Sequence, residues 1–144
     1  MKEIELQTDI INAVRQHGGA AHKLSHRFSV GVVDLLAKPP YEPARLIEVK
    51  LNERPARLDT PITLDITRPQ VEFLQDYYNS GMIAGVLSLV FDRKKGKRLM
   101  WGRTFPVVNI DMERTCAFTD RMWTEIQTEN RSEMLRALVW GMHR

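Results

Sequence analysis

Three polar residues stand where apolar ones are expected, and their spacing suggests chemistry. Asp34 interrupts the run Val32-Val33-Asp34-Leu35-Leu36. Glu48 and Lys50 interrupt the next one, Arg45-Leu46-Ile47-Glu48-Val49-Lys50. Side chains two apart on a strand leave the same face, so Glu48 and Lys50 point together and Val49 points away. With Asp34 on the neighbouring strand, two carboxylates and one ammonium meet near a strand end. A buried, unpaired carboxylate is costly, and two of them repel. A divalent cation relieves both penalties, and oxygen-only ligands favour Mg²⁺ or Mn²⁺ over zinc. The alternative use of the same residues is a structural ion pair, Lys50 with Glu48 or Asp34, and Glu-x-Lys alone is too short to decide.

The elements that must position these groups can be read from pattern. The 144 residues suit a single domain large enough to bury a core without staples. A helix is expected from about Lys2 to His17, closed by Gly18-Gly19. Its apolar stripe is Leu6, Ile10, Ile11, Ala13 and Val14, with Glu3 and Gln7 on the stripe and Glu5 opposite. Strands follow at 20–24, 30–38 and 45–50, the last two as antiparallel neighbours joined by the Pro39–Pro43 turn. Residues 51–66, with Pro55 and Pro61, read as an irregular connection. Thr67 caps a helix running to about Asn79, with Val71, Leu74 and Tyr78 inward and Gly81 as its stop. The apolar run Ile83–Phe91 is the expected central strand. It pairs back as a hairpin through 98–102, with one more short strand at 106–110. From Thr119 the pattern is helical, with a break near Thr128–Asn130.

The constellation resembles the PD-(D/E)xK nuclease superfamily, on Gly31-Val32-Val33-Asp34 and Glu48-Val49-Lys50. Within it, the likeness is to virus-type replication-repair nucleases (VRR-NUC) and Holliday-junction resolvase-like endonucleases. Further matching parts are the opening helix with Glu3 and Leu6-Gln7, and the helix carrying Gln70, Phe73-Leu74 and Gly81. The likeness spans roughly residues 1–90, and Val33 stands where the motif usually has Pro. It implies an α/β fold with a restriction-endonuclease-like core: a mixed central β-sheet flanked by helices, with a C-terminal helical extension. The nuclease core is expected over 1–112 and the extension over 113–144, within one domain. The implied cofactor is Mg²⁺ or Mn²⁺, held by Asp34, Glu48 and the Val49 carbonyl, with Glu3 reaching it directly or through water. Lys50 is implied as the residue that orients the attacking water or stabilises the phosphate, and Gln70 as one that positions Lys50 or a water. Gln70 otherwise caps its helix, and Glu3 is otherwise an exposed helix-end residue.

Two basic groups accompany the motif. His22, Lys23, His26 and Arg27 precede the Asp34 strand, and Arg93, Lys94, Lys95, Lys97 and Arg98 crowd one hairpin tip. They are read as DNA-phosphate contacts, or as solvated turns. The formal charge of only +3, from 21 basic and 18 acidic residues, excludes a histone-like binder, so placement rather than total charge carries this reading. The lone Cys116 excludes an internal disulfide and a four-cysteine zinc site, and favours a reducing, intracellular setting; the resemblance implies a bacterial or phage-infected cell. No apolar run reaches the ~18 residues of a membrane span. The C-terminal apolar face, including Met134, Leu135, Leu138, Val139 and Trp140, either packs on the sheet or forms a homodimer interface. The implied activity is metal-dependent endonucleolytic cleavage of branched or flapped DNA. Alternatives are a site-specific restriction- or defence-type nuclease, and a catalytically silent nucleic-acid-binding or assembly protein on the same fold.

Overall fold

The computed structural model describes residues 1–24, 31–57, 60–110, 115–116, 118 and 122–144. His26 and Arg27 lie outside the described residues. The elements, in chain order, are helix α1 (Glu3–Gln16), strands β1 (Ala20–Lys23), β2 (Leu35–Lys38), β3 (Arg45–Glu53) and β4 (Ile62–Thr63), and helix α2 (Arg68–Asn79). After these come β5 (Ile83–Asp92), β6 (Gly96–Pro106), a 3₁₀ turn (Val107–Asn109), β7 (Thr115–Cys116), β8 (Thr124–Gln127), a second 3₁₀ turn (Thr128–Asn130) and helix α3 (Arg131–Trp140).

Six strands form one mixed sheet in the order β1-β2-β3-β5-β6-β8, and β4 pairs with β7 in a small second sheet. Among the described strands only β3 and β5 run parallel, joined by the crossover through α2. The side chains of β5 are buried from Ile83 to Val90, as a strand paired on both edges and covered on both faces requires. On one face α1 and α3 cover Ile47, Val49, Leu87, Leu89, Met100 and Ile126. On the other, α2 brings Val71 and Leu74 against Leu46, Val86 and Phe105. This three-layer arrangement with a C-terminal helix is a restriction-endonuclease-like α/β fold.

The structure departs from the pattern reading in several places: the return strand expected at 98–102 is β6 over Gly96–Pro106, and the 51–66 connection contains β4. β2 begins at Leu35, not near residue 30, because the Asp34 side chain takes the place of a ladder bond by accepting from Val49 N–H. β3 continues to Glu53, since the backbone of β5 out to Phe91 needs partners along its length. Residues 107–109 turn as a 3₁₀ helix rather than a strand; Pro106, without an N–H, ends the ladder with β5. Residues 124–127, expected to be helical, form β8 against the outer edge of β6, with Ile126 inward. The helix proper starts at Arg131, and Leu135 and Val139 pack into the core beside α1. Buried Arg45 secures that helix: its guanidinium donates to the carbonyls of Val139 (3.0 Å) and Trp140 (3.1 Å) at the negative end of the helix dipole. No described helix is long and apolar enough to cross a membrane.

Candidate active site

Asp34, Glu48 and Lys50 come together. β2 ends its pairing with β3 at Leu35–Ile47, so beyond that point the edge of β3 is open to side chains. Asp34 Oδ2 accepts from Val49 N–H at 2.8 Å. Glu48 Oε2 meets Lys50 Nζ at 3.1 Å. Asp34 and Glu48 are both buried, at 8% and 2% exposure. Within a strand a residue's N–H and C=O point to the same edge, so the Val49 carbonyl faces the side where Asp34 sits. The Gly31 backbone completes the approach to Asp34. Its φ is +86°, and a Cβ there would lie 2.7–2.9 Å from Pro69 in the first turn of α2. Glycine alone fits both demands.

Burial, and after it the neighbouring Asp34 carboxylate, push the Glu48 carboxyl up to about 7 against the opposing pull of Lys50. Glu48 Oε1 is buried with no hydrogen-bond donor among the described residues. An acceptor oxygen left in this state, beside a second carboxylate, is one that a bound cation would satisfy. The donors present fit a small hard ion: two carboxylates and a backbone carbonyl leave the rest of a coordination sphere to water, as Mg²⁺ and Mn²⁺ accept. No three His, Cys, Asp or Glu side chains converge among the described residues, so the site is a two-carboxylate one at its centre.

Glu3 lies along the same edge without joining that centre. Its Oε1 accepts from Leu51 N–H at 3.3 Å, two residues on from the Val49 N–H that Asp34 takes. Helix α1 thus brings a third carboxylate to the same edge of β3 as the pair. Gln70 serves the cap of α2. Its Oε1 accepts from Thr67 N–H (3.0 Å) while Thr67 Oγ1 accepts from Gln70 N–H (3.3 Å).

Two residues not singled out from the sequence extend the site across the sheet. Lys50 is in register with Ser88 on β5, and Ser88 with Arg103 on β6, which places the three side chains in one row on the face of Glu48. Ser88 is fully buried and its hydroxyl has no hydrogen-bond partner among the described residues, a state that costs about 1–3 kcal/mol. Arg103 stacks 4.5 Å over the Phe105 ring and reaches Met122 Sδ at 3.8 Å. The signal for Ser88 was present in the sequence: it is a polar residue inside the apolar run of β5, as Asp34 is in its own.

The basic groups divide. At the β5–β6 tip, Arg93 pairs with Glu53 (3.2 Å), and Lys97 with Glu5 and Asp9 of α1 (3.4 Å each). Arg98 donates to the carbonyls of Lys94 and Lys95. The Lys94 and Lys95 side chains are exposed and have no partner among the described residues. The tip stands beyond the carboxyl end of the parallel pair, about 13 Å along β5 from Ser88. His22 and Lys23 are exposed on β1 at the sheet edge. His22 is in register with Leu36, two residues from Asp34, and Lys23 with Leu35.

Fold and site together give a restriction-endonuclease-like sheet with two carboxylates and a lysine gathered at the open edge of β3. The comparisons agree at the level of fold. The Holliday junction resolvase Hjc of Archaeoglobus fulgidus, an archaeal hyperthermophile, superposes with a TM-score of 0.52 at 18% identity, over 91% of this chain and 98% of that one. A VRR_NUC domain is also similar, with a TM-score of 0.45 and 20% identity over 76% of this chain and 94% of that one. The resolvase bears the name of a family that Gly31–Asp34 and Glu48–Lys50 resemble. No protein-family model and no curated relative matches the chain.

Proposed function

We propose that the protein is a metal-dependent DNA endonuclease that hydrolyses phosphodiester bonds in branched or flapped intermediates of replication, repair or recombination. The observation that carries this reading is the buried Asp34–Glu48 pair, with one oxygen lacking a donor, next to Lys50 at the open edge of β3. Asp34, Glu48 and the Val49 carbonyl would hold the cation, which supplies polarisation of the phosphodiester and a water acidic enough to lose a proton near neutral pH. Lys50 faces the same space and offsets the charge that develops on the phosphate or orients the attacking water. Glu3 takes a hydrogen bond from such a water. Gln70, through its free amide end, steadies Lys50 or a water. His22, Lys23, Lys94 and Lys95, together with His26, Arg27, Arg93, Lys97 and Arg98, supply phosphate contacts that position DNA without reading sequence.

The preference for a branched substrate is supported by the likeness to a Holliday junction resolvase fold. Paired cuts on a junction require two sites, so the reading includes a homodimer, measurable by light scattering across concentration. A protein working on DNA in this way acts inside the cell. The direct experiment compares labelled four-way, flapped, linear and single-stranded DNA with Mg²⁺ or Mn²⁺. Cutting of branched DNA over linear duplex is expected, and Asp34→Ala and Lys50→Ala abolish it while retaining DNA binding. Sequence-dependent cuts in plain duplex would favour a restriction-type nuclease. Binding without cutting under every condition would favour a silent DNA-binding protein.

A further inference from the structure

We infer that Ser88 is a positioning residue for Lys50: its buried hydroxyl accepts a hydrogen bond from the lysine ammonium whenever Glu48 is engaged elsewhere. Lys50 Nζ has Glu48 Oε2 as its carboxylate partner, at 3.1 Å. A carboxylate that binds a cation gives up much of its hold on that ammonium. In register beside Lys50, on the adjacent strand and the same face, stands Ser88. Adjacent strands lie about 4.8 Å apart, well within the reach of a lysine side chain. The next residue of the row, Arg103, is a cation and offers no acceptor, and the row before it holds Val86 and Phe105, which are apolar. On the row beyond, Asn52 turns its amide to the Thr63 carbonyl, so Ser88 Oγ is the buried acceptor without a partner that stands in register with Lys50.

The burial of Ser88 makes the same point from the other side. Its side chain is fully buried in a strand that is otherwise apolar, and Oγ makes no hydrogen bond among the described residues. Alanine would fill that place without an unsatisfied hydroxyl. A hydroxyl beside an ammonium that must change partners gains a charge-assisted bond in the second state. Lys50 thus has two positions, one on Glu48 and one on Ser88, and the second leaves the ammonium directed into the site after the carboxylate is occupied. The contact itself stands independently of the nuclease reading; its catalytic consequence rests on that reading.

The test has two arms. In the first, the folded full chain is treated with acetic anhydride in the presence of chelator, and acetylation of Lys50 is followed by peptide mass spectrometry. Glu48→Ala leaves Ser88 as the acceptor, so adding Ser88→Ala raises the rate of Lys50 acetylation about tenfold, the change for one charge-assisted hydrogen bond, and adding Ser88→Thr does not. If Glu48→Ala does not fold, Glu48→Gln replaces it and a smaller rise in the same direction is expected. Equal Lys50 acetylation with and without the Ser88→Ala change overturns the inference. In the second arm, Ser88→Ala lowers kcat on branched DNA about tenfold with KM and melting temperature unchanged, and Ser88→Thr restores it. A lowered melting temperature with unchanged kcat would assign Ser88 a packing role and also overturn the inference. A wild-type protein that cuts nothing, but whose Lys50 acetylation responds to Ser88, would sink the nuclease reading and sustain the contact.

Discussion

Replacing Glu48 with glutamine turns the electrostatics of the site into a stability measurement. Burial and the Asp34 carboxylate raise the Glu48 pKa from 4.5 to about 7 in the folded protein. The folded state therefore holds the proton more tightly than the unfolded chain. The contribution of this group is fully present below pH 4.5 and is lost as pH rises through 7. The difference corresponds to about 3 kcal/mol between pH 4 and pH 8 in protein stripped of metal. Glu48→Gln is nearly isosteric, keeps an oxygen for Lys50 Nζ, and carries no charge to bury. Thermal melts in chelator should give similar melting temperatures for wild type and variant at pH 4.5. At pH 8 the variant should melt roughly 10 °C higher, at about 3 °C per kcal/mol for a chain of this size. Adding Mg²⁺ at pH 8 should then raise the wild-type melting temperature and leave that of Glu48→Gln nearly unchanged, since a ligand that binds only the folded state stabilises it. Parallel melting-temperature curves for the two proteins across this pH range would refute the buried-carboxylate argument. Equal responses to Mg²⁺ would refute the assignment of Glu48 as a ligand.

Other consequences follow from the same geometry. Gly31→Ala places a Cβ against Pro69 at 2.7–2.9 Å in a backbone with φ +86°, and should cost at least about 1–2 kcal/mol in urea unfolding. It should also impair cutting by displacing Asp34 from α2; an unchanged midpoint would mean that this approach relaxes freely. Lys94→Glu with Lys95→Glu removes the two tip cations that lack an internal partner. The slope of log affinity for DNA against log salt should fall by about two, which a filter-binding titration reads directly. An unchanged slope would make the tip a solvated turn.

The site was legible because its residues violate their surroundings. Asp34, Glu48 and Lys50 are charges inside apolar strands, and their two-residue spacing fixes a common face. The Thr67–Gln70 capping box could be placed for a similarly local reason, and the capping role weighed for Gln70 is the one its Oε1 has. What could not be read depended on neighbours distant in sequence. β3 runs on through Glu53 because β5 needs a partner, and β8 forms because the edge of β6 is free. The charge of the hairpin tip was overestimated for the same reason: Glu5 and Asp9, on a helix almost ninety residues earlier, neutralise Lys97. Ser88 carried a local signal, a hydroxyl in an apolar strand, but its meaning came only with the register that sets it beside Lys50. The apolar face of α3 reads as interior in the structure, with Leu135 and Val139 in the core against α1.

The central claim is that Asp34, Glu48 and Lys50 form a cation-dependent phosphodiesterase centre. Incubation of the purified chain with an end-labelled four-way junction, with and without Mg²⁺ or Mn²⁺, tests it most directly. Cation-dependent nicks near the branch point, absent in Asp34→Ala and Lys50→Ala proteins that still bind the junction, are the predicted result. Junction that stays intact with either cation, or nicks that persist unchanged in both variants, would contradict it.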